Sequence, residues 1–182
     1  MIPGGGSLNI NGTYNYPYLD GRTLNSAGTT TLSGAYYLYL YNNAVINNQA
    51  GGTFAVQNDQ SIQSSGTTSF NNAGTFIKSA GTGTAWIYSS FNNTGTINVQ
   101  SGTLSLSGGG ASTGSFIAGG GATLLFAGVA HDLNGTPTFT GAGVFEIAYG
   151  TVNFNVPVTL PNLTLSNGTL AGSGNMTVSG TL

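Results

Sequence analysis

Charge is what this sequence has least of. Of 182 residues two are basic and four acidic, a charged fraction of 3%, where about 25% is usual. Arg22 and Lys78 cannot replace the counterions around a phosphate backbone, so nucleic acid is excluded as a partner. The same shortage excludes electrostatic attachment to an anionic membrane. Cysteine is absent, which excludes disulfide staples and thiolate chemistry. No apolar run reaches the roughly 18 residues of a spanning helix, so membrane insertion is not expected. No signal peptide, with its charged, apolar and then small-residue segments, is present in this chain. Secretion would therefore require that such a segment has been removed or omitted. Helix signals are missing as well: apolar residues nowhere recur at i, i+3, i+4 and i+7 over a helix length.

What remains is glycine, 31 residues of it, with much Asn, Thr and Ser and a hydrophobic fraction of 39%. Disordered chains lack that apolar content and carry more charge. Here the apolar residues alternate in short runs between Gly, Asn and Ser turns, the pattern of strands with one buried and one wet face. Runs of this kind are Ser7–Ile10, Tyr36–Tyr41, Thr53–Val56, Thr75–Lys78, Ala85–Tyr88, Thr96–Val99 and Thr103–Leu106. They continue as Ser115–Ala118, Thr123–Phe126, Val144–Ile147, Thr151–Phe154, Leu163–Leu165 and Met176–Val178. Gly or Asn supplies a corner of positive φ, and a β-branched Thr opens the strand.

One phrase is written twice: Phe70-Asn-Asn-Ala-Gly-Thr-Phe-Ile-Lys78, then Phe91-Asn-Asn-Thr-Gly-Thr-Ile-Asn-Val99, starting 21 residues apart. A looser copy runs from Ile46 to Val56. A fixed period of this length marks stacked repeats. Two or three corner-plus-strand units of about seven to ten residues make one coil of about 21–24 residues, and about eight coils fit the chain. At about 4.8 Å per coil the stack is on the order of 40 Å long. An antiparallel sandwich or barrel also uses short alternating strands. Two features favour the coil: the return at 21–24 residues, and the Asn pairs 47–48, 71–72 and 92–93 at one repeat position, where amides stack as a ladder. The expected fold is all-β, a parallel β-solenoid (β-helix) forming a single domain over 1–182. It has a tyrosine-rich start (1–43), regular coils (44–118) and looser coils (119–182), in which Val129–Asn134 lengthens a corner.

The stretches Phe91–Gly110 (FNNTGTINVQSGTLSLSGGG) and Leu163–Leu182 (LTLSNGTLAGSGNMTVSGTL) resemble the repeats of large secreted bacterial surface proteins. These are the autotransporter passenger and filamentous-haemagglutinin-like group. The resemblance covers most of the chain from about residue 44. It implies a β-helical fold and an adhesive or structural stalk, in some members a filament. It assigns no binding residue. An uncharged Gly/Asn/Thr/Ser surface fits the same location, secreted or on the cell surface.

Candidate sites are few. Asp20, Asp59, Asp132 and Glu146 fall in four different coils, whereas polysaccharide hydrolysis needs clustered acids and calcium needs several converging oxygens. His131-Asp132 is the one adjacent acid–base pair and is expected in a turn; no Gly-x-Ser-x-Gly elbow accompanies it. No catalytic, cofactor-binding or metal-binding residue is expected, and the protein is not expected to be an enzyme. Lys78 should end a strand with its head in water, and Glu146 should point outward. Thr-x-Thr pairs at Thr29, Thr82, Thr94 and Thr138 do not recur at one coil position, which argues against a flat array for ordered water. Tyr14, Tyr16, Tyr37, Tyr39 and Tyr41 are expected to form an aromatic patch, with Tyr14, Tyr16 and Tyr18 each opposite a residue 23 positions on. Such a patch suits an end cap, a subunit contact or a glycan. Leu8 and Ile10 at the start, and Met176, Val178 and Leu182 at the end, are expected end-to-end contacts, because the last repeat has no polar cap. The expected partner is a second copy stacked head to tail, or the rest of a longer surface protein.

Overall fold

The computed structural model describes residues 1–182. It is all-β, without helix, and forms a parallel β-solenoid of about eight turns with about 21 residues per turn. Each turn makes three corners and contributes one short strand to each of three parallel sheets. The first sheet runs from Ser7–Ile10 through Thr29–Leu32, Thr53–Val56, Thr75–Lys78, Thr96–Val99 and Ser115–Ala118 to Thr138–Thr140. We call it the threonine face. Its geometry is extended by the pair Val158–Leu160 and Met176–Val178. The tyrosine face runs from Tyr18–Asp20 and Leu38–Tyr41 to Leu163–Leu165. The asparagine face runs from Thr23–Ser26 and Val45–Asn48 to Thr169–Ala171.

The repeated phrase explains the register. Phe70 pairs with Phe91, Asn71 with Asn92 and Asn72 with Asn93 on the asparagine face. After the corner, Thr75 pairs with Thr96 and Phe76 with Ile97 on the threonine face. Identical residues lie above one another, so their rings stack: Phe70 on Phe91 at 5.0 Å and Phe54 on Phe76 at 5.5 Å. The two columns then meet edge to face inside the coil, Phe76 against Phe91 at 5.2 Å and 88°. Each such pair contributes about 0.5–1.5 kcal/mol beyond the area it buries.

Gly-Thr at the corner between these faces has a geometric cause. Gly74 sits so close to the coil before it that a Cβ would lie 2.3 Å from the Gly52 carbonyl oxygen, and Gly95 repeats this against Gly74 at 2.1 Å. The same carbonyls accept the next coil's strand-opening amides, Thr75 N–H at 2.9 Å and Thr96 N–H at 2.9 Å. Only glycine allows that approach. The threonines consequently form an in-register column, Ser7, Thr29, Thr53, Thr75, Thr96, Ser115 and Thr138. Two Thr-x-Thr pairs, at Thr29 and Thr138, therefore do share a position, contrary to the sequence reading. Thr84, Thr103 and Thr123 open tyrosine-face strands in the same way, so the column reflects strand-start preference.

The Asn pairs form two ladders. Outside, Asn92 donates to Asn71, Asn71 to Asn47 and Asn47 to Asn25 at 2.7–2.9 Å. Inside, the direction reverses: Asn48 donates to Asn72 at 2.7 Å and Asn72 to Asn93 at 2.8 Å. The second amide hydrogens of Asn48 and Asn72 go to the Thr75 and Thr96 carbonyls, both at 3.0 Å. This satisfies buried donors that would otherwise cost heavily. The His131-Asp132 region departs from expectation: it is the strand His131–Leu133 of the asparagine face, not a lengthened corner. Alternation explains this, since His131 and Leu133 are buried and Asp132 is turned outward to accept from Asn153 at 2.6 Å.

The two ladders differ in burial, and so should their mutants. Asn72→Ala strands the Asn48 donor and the Asn93 acceptor in the interior and is expected to cost about 2–4 kcal/mol, while exposed-side Asn71→Ala costs under about 1 kcal/mol. Urea denaturation of both variants checks this.

Candidate functional site

Three places concentrate unusual side chains: the first coil, the tyrosine face beside it, and the last coil. At the first coil the core opens into a cavity of about 440 Å³. Leu8, Leu19 and Leu24, one from each face, form its walls, and Leu38 and Ile46 of the second coil form its floor. Leu8, Leu19 and Leu24 are only partly buried, because no coil covers them. Ile10 is buried and also borders the cavity. Ser7–Ile10 and Tyr18–Asp20 are the first strands of their sheets, so one edge of each is unpaired. On the third face only Ile2 bridges onto Ser26.

The other end mirrors this. Leu163–Leu165, Thr169–Ala171 and Met176–Val178 close their sheets. Leu170, Met176 and Val178 pack against the core but are partly buried, and Leu182 is 80% exposed. The expected contact residues Leu8, Ile10, Met176 and Val178 thus all occupy inward positions in end coils. Leu19, Leu24 and Leu170 were not singled out from the sequence, because each stands alone in a three- or four-residue run, too short to show alternation.

The tyrosine patch forms with a different register. Tyr18 pairs with Tyr39, 21 residues on, and Leu19 with Leu40. A 23-residue register would set Leu19 opposite Asn42; the observed one stacks leucine on leucine in the core. Tyr16 therefore stacks on Tyr37 at 4.0 Å, and Tyr18 lies over Tyr39 and Tyr41 at 6.4 and 5.8 Å. Tyr14 falls in the preceding corner, 95% exposed and outside the cluster. Tyr39 and Tyr41 lie face to face at 4.0 Å and 3°. The rings thus spend most of their faces on one another. Trp86 and Tyr88 stand on the same face two coils on, beyond a polar row containing Gln63. The neighbouring Tyr16 hydroxyl, with burial, pushes the Tyr37 phenol up to about 12. Burial, then the Tyr39 hydroxyl, raises Tyr41.

Lys78 overturns its expectation. It is wholly buried in the column of Val56 and Val99. Its ammonium donates to Asp59 Oδ1 at 2.8 Å, the Ala80 carbonyl at 2.8 Å and the Asn58 carbonyl at 3.2 Å. Three donors meet three acceptors, which is why the charge need not reach water. The Asp59 carboxylate fits because Gly81 has no Cβ; one there would lie 2.2 Å from Oδ1. The Lys78 ammonium, helped by the Gly83 and Thr82 amides, holds Asp59 below its ordinary 3.8 against a smaller opposing effect of burial. Asp20, Asp132 and Glu146 lie on three other coils, the last accepting from Ser166 at 2.9 Å.

Compared with known proteins, the chain matches no family model, no curated protein and no solved structure.

Two measurements test the electrostatics. Asp59→Asn, which leaves Lys78 buried without its counter-charge, is expected to cost about 1–3 kcal/mol, whereas Lys78→Met is expected to be near neutral. Thermal denaturation distinguishes them. A phenol raised in the folded state stabilises fully below pH 10 and loses that contribution as pH rises towards 12. Absorbance at 295 nm should show a tyrosine ionising near 12, returning towards 10 in Tyr16→Phe.

Proposed function

We propose that this protein is a non-enzymatic structural element: a rigid β-solenoid rod that lengthens by stacking head to tail on a second copy. The observation that carries this reading is the chemistry of the two ends. Each presents unpaired parallel strand edges around a partly covered apolar core. Leu8 and Ile10 at one end and Met176 and Val178 at the other have the same inward parity on the same side of the coil. Stacking would continue the sheets, bury Leu8, Leu19 and Leu24, and meet no repulsion from a chain of net charge −2. Heterologous contacts of this kind do not close, so they give fibres. An extracellular setting, on a bacterial surface, fits the uncharged composition and the resemblance of the repeats.

A glycan-binding role at the tyrosine face is the second reading, favoured by the exposed ring of Tyr18, which is 52% accessible. It would have to work largely through ring edges and hydroxyls. Glycan-array binding abolished by Tyr39→Ala would support it.

Electron microscopy and sedimentation test the rod. Wild-type protein should form fibres one solenoid wide. Leu8→Asp blocks one end and Val178→Asp the other, so each alone should remain monomeric. Their mixture should give heterodimers and nothing longer. Wild-type protein that stays monomeric at high concentration contradicts the proposal.

A further inference from the structure

His131 is the chain's single histidine, and it is enclosed by the core at 1% exposure. Its Nε2 lies 2.8 Å from the Ser112 hydroxyl, and its ring packs on Phe126 at 5.2 Å. The residue in register on the coil before it is Gly110, and Val152 lies on the coil after. Gly110 cannot carry a side chain, since a Cβ would fall 2.1 Å from the Phe91 carbonyl oxygen. The imidazole therefore occupies a column that is phenylalanine in the regular coils and has no side chain directly beneath it. Nδ1 is buried without a hydrogen-bond partner.

We infer that His131 is an acid-triggered release point: its protonation opens the coils around Gly110–Phe154 while the regular coils before them stay closed.

The surroundings provide little to hold an imidazolium. The strands packed on it, Gly110–Ser112, Thr151–Phe154 and Thr123–Phe126, contain no charged residue. On its own strand Asp132 faces outward, engaged by Asn153. On the tyrosine face Glu146 sits at an outward position and accepts from Ser166. Charging the ring makes Nδ1 a second donor, and Nδ1 has no acceptor in bonding geometry. Burial accordingly lowers His131 from 6.5 to about 4, outweighing Asp132 and the Gly109 backbone, which favour the charged form. A base lowered in the folded state contributes stability that is complete above its unfolded value of 6.5 and is lost as pH falls through about 4. This window lies above that of Asp59, whose contribution is lost only below 3.8. The proposed trigger is this one buried residue and the stretch of rod around it, independently of whether copies stack.

Native-state hydrogen exchange tests this, read as protection factors so that the intrinsic pH dependence cancels. From pH 7 to pH 4, protection within Gly110–Phe154 should fall roughly 100-fold, while that of Phe70–Val99 holds. Ser112→Ala should lower protection at pH 7 but keep the fall; His131→Leu should abolish it. Equal protection at both pH values in the wild type, or an undiminished fall in His131→Leu, overturns the proposal. Should His131→Leu not fold, the imidazole nitrogens of the wild type decide by NMR. Titration near 6.5 without loss of protection overturns the proposal, and titration well below 5 accompanied by that loss supports it.

Discussion

Everything in this molecule depends on one constraint: a coil cannot bury its own inner face. Three strands of three or four residues enclose too little volume, so each coil is closed by the one above and the one below. That demand forces parallel pairing and register, and register sets like on like. Phenylalanines stack, threonines line up, and amides chain into ladders. It also forces glycine at corners such as Gly74 and Gly95, where successive backbones come too close for a side chain. The low charge follows from the same geometry, because like charges in register would repel at every step along the rod.

Most of the large polar groups in the core are met by partners from a neighbouring coil. Asn72 is held from both sides by its own equivalents. Lys78 is held by a corner carboxylate and two carbonyls. His131 is the one titratable side chain among the exceptions, with one ring nitrogen satisfied and the other not. The two end coils are the other place where the stacking demand goes unmet. What is distinctive about the protein therefore lies where coil-on-coil matching fails, at the ends and at His131, rather than in the repeated middle.

Much of this was legible in the residues. Phe70-Asn-Asn and Phe91-Asn-Asn gave the period, and alternation in Thr103–Leu106 or Thr123–Phe126 gave strands with the observed bounds. Whether a turn holds two strands or three was harder to read. The asparagine-face strands place Asn48, Asn72 and Asn93 inside, so they lack the apolar alternation that marks a strand. The burial of Lys78 is not legible from the sequence because two of its three acceptors, the Asn58 carbonyl and Asp59, come from the 57–60 corner, nineteen residues away in the case of Asp59. The tyrosine register differs by two from the expected 23 because Leu19 on Leu40, not the rings, sets it. In the Asp132 region a single charged residue masked an ordinary in–out–in strand.

The central claim is the in-register parallel stack, and amide-detected nuclear Overhauser spectroscopy reaches it most directly. A parallel stack requires contacts between the backbones of Thr75 and Thr96, Phe76 and Ile97, and Ile97 and Phe116, repeating coil after coil along each face. Short Hα–Hα contacts between consecutive strands, the mark of antiparallel hairpins, would contradict it.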